Sequence, residues 1–225
     1  MTKLSRKQLL NLIDSARGRG EKPEMVGPNL NETERRRTKL SSPNLSEAEH
    51  RRANLSGAEL FETDLSGMDL RGVALIGANL SEANLSQTNL SGANLYQANL
   101  MGANLTYVNL SQAKLIKANL SQANLSQADL NRANLGTANL SQANLKGVNF
   151  RQTSLRGANL RGANLSGTNL TSADLRNADL RQANLKGANL KQANLSGANL
   201  HGARYDKETI WPINLNPTRT GAILA

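Results

Sequence analysis

Between residues 53 and 202 an apolar residue falls on every multiple of five, from Leu55 to Leu200, without a single insertion. All thirty of these centres are Leu except Phe150. Two residues before the centre stands Ala in 22 units, with Thr, Val or Met68 in the others. Directly before the centre stands Asn or Asp in 26 units, the exceptions being Glu59, Ala74, Lys114 and Ser154. The two positions that follow are mostly Ser, Gly, Gln, Lys or Arg.

A period of five fits neither regular element. In an α-helix each residue turns about 100°, so a Leu every five steps precesses and forms no stripe. In a flat strand side chains alternate faces, so an odd spacing sends successive Leu residues to opposite sides. Every Leu reaches one interior only if the chain turns once per unit. Ala and Leu then point inward from a very short extended segment. The Asn between them points outward beside the corner, where Asn and Asp bond locally and tolerate turn geometry. One Leu per five residues is too little burial for an isolated turn, so stability must come from stacked neighbours.

Runs such as Ala93-Asn94-Leu95-Tyr96-Gln97 and Ala158-Asn159-Leu160-Arg161-Gly162 carry the pattern A-(N/D)-L-x-x. About two-thirds of the chain resembles the pentapeptide-repeat family in this way. The resemblance implies an all-β solenoid, a right-handed quadrilateral β-helix with four units per coil. With coils about 4.8 Å apart, thirty units make roughly seven and a half coils and a rod roughly 36 Å long. The tail from Thr209 to Pro217 is similar to a closing segment of cyanobacterial members, T-x-W-P-x-G-F-D-P, and departs from it at Asn214, Leu215 and Asn216. Trp211 is expected to cover the Leu residues of the last coil.

Four segments follow from these patterns. Residues 1–27 are expected to form an N-terminal α-helical cap, with Ser5 as N-cap of a helix to about Arg17. Its Leu9, Leu12, Ile13 and Ala16 share one face, and Gly18 and Gly20 end it. That face is assigned to the first coil rather than to a membrane, because the segment is short and lacks aromatics. Residues 28–52 keep the phase at Leu30, Leu40 and Leu45 but place Arg35 and His50 at centres, so they are degenerate repeats or an excursion. Ser46 to Glu49 equally fits a capping box and a short helix. Residues 53–205 are the regular repeats, and residues 206–225 the C-terminal cap.

Composition removes several function classes. The chain has no Cys, which rules out disulfides and thiolate chemistry. The N-terminal apolar residues are interrupted by Asn11 and Asp14 and make neither a secretory core nor a membrane span. A soluble cytoplasmic protein without a membrane partner is expected. His50 and His201 stand far apart, and no catalytic grouping, metal-ligand spacing or phosphate-binding glycine loop occurs. No enzyme, cofactor or metal is expected.

The net charge of +10 is unevenly placed. Residues 1–52 carry +5, residues 53–145 carry −2 and residues 146–225 carry +7. Lys146, Arg151, Arg156, Arg161, Arg176, Arg181, Lys186 and Lys191 all follow a centre directly, and four units per coil spread them as a belt around the C-terminal half. Under the same register Ile76, Tyr96 and Ile116 stack on one side as an apolar ridge, with Phe61 and Met101 on the adjacent side.

The leading expectation is a non-catalytic rigid scaffold or protein-interaction module, a monomer or homodimer whose partner is another protein. The competing reading is weak, salt-sensitive binding of nucleic acid or another polyanion at the belt. Some pentapeptide-repeat proteins bind DNA gyrase by imitating duplex DNA with an acidic surface, and so confer fluoroquinolone resistance. The basic C-terminal coils depart from that pattern, so gyrase mimicry is not expected.

Overall fold

A computed structural model describes residues 54–225. The proposed helix from Ser5 and the irregular stretch 28–52 lie outside the described residues. Each unit contributes one bridge residue, and every bridge is parallel: Asn54 to Ala74, Glu59 to Asn79, Asp64 to Asn84, Asp69 to Asn89, and so on up the stack. From Asn54 up to Arg204 bridged residues are 20 apart, so four units close one coil and the section has four sides. The sides are numbered here from the centres Leu55, Leu60, Leu65 and Leu70.

Backbone bookkeeping explains the sequence of a unit. Every N–H in a stacked coil needs an acceptor, and the unit around Leu120 shows where the five go. Ala118 N–H closes the preceding turn onto Leu115 O at 3.0 Å. Asn119 N–H reaches back to Ala98 O at 2.9 Å, while Leu120 and Gln122 donate forward to Asn139 O at 2.7 Å and Ser141 O at 3.0 Å. Ser121 N–H is left without a backbone partner, and Asn119 Oδ1 accepts it at 3.2 Å. The Asn or Asp before each centre therefore supplies the one acceptor that the coil geometry omits.

The corner itself needs a left-handed residue. The second residue after the centre has positive φ throughout, as at Gln122 (φ 60), which is the third-position signature of a type II turn. Gly fills this place at Gly57 or Gly162, but Thr137 (φ 55) and Tyr107 (φ 57) hold it against steric preference.

The interior is one column of Leu layered with Ala. Leu60 to Leu190 are essentially solvent-free, and Phe150 takes the place of a Leu without becoming exposed. Buried Thr residues at Ala positions hand their hydroxyls to carbonyls: Thr88 to Leu65 O at 2.8 Å and Thr153 to Leu130 O at 2.7 Å.

After Tyr205 the fourth side is built once more with one residue added, since Asn189 bridges Ile210. Asp206 holds that longer corner, its Oδ1 accepting Gly187 N–H at 2.9 Å and the Thr209 hydroxyl at 3.0 Å. These donors, Gly187 N–H foremost, hold its carboxyl below the ordinary carboxylate range. Trp211 then packs on the core and meets Tyr205 edge to face at 5.4 Å. The chain crosses the end of the stack, makes a short 3-10 helix at Pro217–Thr220 capped by Asn216, and returns. Strand β2 (Ile223–Leu224) pairs in parallel with β1 (Arg204–Tyr205), adding one more rung to the third side. Leu195 and Leu200, at this end of the stack, stay buried.

Candidate docking surface

The register decides which outward residues meet. On the first side the position after the centre reads Ser56, Ile76, Tyr96, Ile116, Gly136, Arg156, Arg176, one coil at a time. The three apolar residues form a continuous column at a coil spacing of about 4.8 Å. Ile76 is 40% exposed, and Tyr96 and Ile116 are half-buried, each shielded by its neighbours in the column. Phe61 and Met101 stand on the second side, two coils apart, both 41% exposed. Around them stand Ser, Asn, Gln and Gly, with Glu59 and Glu62 beside Phe61 and the exposed Lys114 and Lys117 beside Ile116. The residue before the centre also differs here: Ala74 and Lys114 offer no side-chain oxygen for Ile76 N–H and Ile116 N–H.

Where Asn is unbroken, a ladder of carboxamides runs along the stack. On the second side Asn79, Asn99, Asn119, Asn139 and Asn159 each donate Nδ2 to the residue one coil back, at 2.8 to 3.2 Å, starting from Glu59. The third side carries a similar series from Asp64, for example Asn104 to Asn84 at 3.1 Å. On the first side Ala74, Lys114 and Ser154 interrupt it. The apolar column thus sits on the side with the fewest polar cross-links. Local turn bonding by Asn is visible in the sequence, whereas the ladder depends on the 20-residue register.

The basic belt is partly self-neutralised. Arg156 and Arg176 lie one coil apart on the first side and Arg161 and Arg181 one coil apart on the second, whereas Lys146 and Lys186 on the third and Arg151 and Lys191 on the fourth are two coils apart. Arg176 Nε and Nη2 grip Asp174 at 2.8 and 2.6 Å, and Arg181 grips Asp179 with the same distances. These forks hold both carboxyls below their ordinary range, helped by the charges of Arg156 and Arg161 a coil away. Each guanidinium is correspondingly harder to deprotonate. Two of the eight belt cations therefore have anionic partners already. The Asp-Leu-Arg spacing that permits this is legible in the sequence, but the outward reading of each position by itself does not pair them.

Other exposed apolar residues escape a reading restricted to the position after the centre. Tyr107, 63% exposed, stands at a turn corner. Ile213, 98% exposed, and Leu224, 66% exposed, belong to the tail, where the repeat gives no phase to read. His201 is exposed on the second side, and His50 lies outside the described residues. Among the described residues no group of three or more His, Asp or Glu is placed to hold a metal ion, and no helix is long and apolar enough to cross a membrane.

No curated protein matches the chain in sequence. Among solved structures, the pentapeptide-repeat protein Rfr23 from the cyanobacterium Cyanothece 51142 is 36% identical, over 50% of this chain and 90% of its own, with a TM-score of 0.49. HetL from Nostoc sp. strain PCC 7120, a pentapeptide-repeat protein involved in heterocyst differentiation regulation, is 34% identical over 67% of this chain and 84% of its own, with a TM-score of 0.30. QnrB1, a plasmid-mediated fluoroquinolone resistance protein, is 15% identical over 76% of this chain and 86% of its own, with a TM-score of 0.49. The family model for pentapeptide repeats matches in 8 copies, in overlapping stretches that run from residue 39 to residue 204. With most of its length matched by that model and its repeats stacked four to a coil, the chain belongs to the pentapeptide-repeat family.

Proposed function

We propose that this protein is a non-catalytic, rigid right-handed β-helical scaffold of the cytoplasm that docks another protein along the Ile76, Tyr96 and Ile116 column. Phe61 and Met101 extend the contact onto the next side. The observation that supports this reading is the column itself: three large apolar side chains in line, one coil apart, on the outer face of the first side. A solenoid with interlocked coils presents such a column with little conformational freedom left to lose on binding. Binding of a polyanion at the belt is the weaker reading, because Arg176 and Arg181 are already engaged by carboxylates.

The test is capture from lysate with the tagged chain at low and moderate salt, with and without nuclease. A specific protein retained under all conditions, and lost from the Ile76→Ser/Tyr96→Ser/Ile116→Ser variant, is the expected result. Captured material that vanishes on nuclease or salt treatment would move the function to the Lys146–Lys191 belt instead.

A further inference from the structure

The apolar column is nearly symmetric about Tyr96. One coil to either side stand Ile76 and Ile116, and one coil further Ser56 and Gly136, both small. The residues beside the two Ile differ in a complementary way. Ile76 is flanked across its side by Ala74 and Gly77, and Ile116 by the exposed Lys114 and Lys117. From residue 54 to Gly136 the charges on the first side are Lys114 and Lys117 alone, while the carboxylates of residues 54–94 belong to units of the other sides and Asp69 pairs with Arg71.

We infer that the occupant of this column is a second copy of the chain, running antiparallel, with a two-fold axis through Tyr96. This rests on the docking reading above and names the partner. In that arrangement Tyr96 meets the partner's Tyr96, and Ile76 meets the partner's Ile116. Lys114 and Lys117 then lie over the partner's Ala74 and Gly77, where no side chain obstructs them. The two lysines of each copy thus face the uncharged end of the partner's column. A parallel pair would set Lys114 and Lys117 against the partner's Lys117 and Lys114, like charge on like charge. The interface is isologous, so it closes at two copies.

The absence of native Cys makes the test clean. Single Cys variants Tyr96→Cys, Ser56→Cys and Gly136→Cys are treated with a short bismaleimide, whose reach of about 10 Å matches the spacing of two packed sheets. Tyr96→Cys should cross-link to itself. Ser56→Cys and Gly136→Cys alone should not, since each is displaced by about 19 Å along the rod from its own copy, twice its distance of two coils from the axis. Mixed together, they should cross-link to each other. The unmodified chain should sediment as a dimer that forms in the micromolar range, as suits an interface below standard size.

Self-linking of Ser56→Cys and Gly136→Cys, or no linking at Tyr96, would overturn the antiparallel pair. So would a monomer throughout the concentration range. A monomeric wild type whose captured partner is still lost from the triple Ser variant would sink the dimer and leave the docking reading standing.

Discussion

Asn119 makes four side-chain hydrogen bonds: its Oδ1 accepts Ser121 N–H, the Ser121 hydroxyl and Asn139 Nδ2, and its Nδ2 donates to Asn99. Asn134 has the same place in its unit but lies between Lys114 and Ser154, and its side chain accepts Gly136 N–H at 3.1 Å without a ladder bond to either neighbour. Both residues are half-buried, which makes them a matched pair. Each neutral bond contributes about 0.5–1.5 kcal/mol net, and less where water replaces the lost partner. The Ser121 groups can turn to water, so Asn119→Ala should cost about 2–3 kcal/mol against about 0.5–1 kcal/mol for Asn134→Ala. The difference, about 1.5–2 kcal/mol, is the contribution of the ladder. At about 2–4 °C per kcal/mol it corresponds to several degrees in Tm. Urea unfolding and thermal melts followed by circular dichroism would measure it. Equal losses for the two variants would refute the ladder and reduce Asn119 to a local turn residue. The converse substitution, Ala74→Asn, should stabilise, because it gives Ile76 N–H and Asn94 Nδ2 an acceptor.

Three further outcomes are expected. Thr137→Gly should raise stability by about 0.5–1 kcal/mol, since relief of a β-branched residue at φ 55 exceeds the added freedom of Gly in the unfolded chain; a lower melting temperature would contradict this. Phe150→Ala should cost about 3–5 kcal/mol, because a solvent-free side chain held between rigid coils leaves a cavity that cannot collapse; denaturant titration reads it directly. The lowered carboxyls of Asp174 and Asp179 contribute stability that is present above the unfolded carboxylate value, near pH 4, and is lost as pH falls through their lower folded values. Asp174→Asn/Asp179→Asn should therefore flatten the acid limb of a stability profile below about pH 4 and leave its neutral shape unchanged.

The spacing of Leu and the Ala-Asn-Leu phrase determine that each unit turns, what points inward and where an Asx acceptor stands. All of these are local properties, set by bonds and contacts within five residues. The candidate column of Ile76, Tyr96 and Ile116 was reachable only by adding four units per coil, which the resemblance supplied and the 20-residue bridging displays. Closure into four sides depends on ladder geometry between residues far apart in sequence, and no count along one unit contains it. For the same reason the sequence does not announce the Asn ladder on the second and third sides, since a ladder exists only between coils. The tail shows the limit most plainly. Leaving the repeat at Asp206 removes the phase, and tertiary packing alone places the added corner residue, Trp211 against the core and the ring of Tyr205, and the returning rung at Ile223–Leu224.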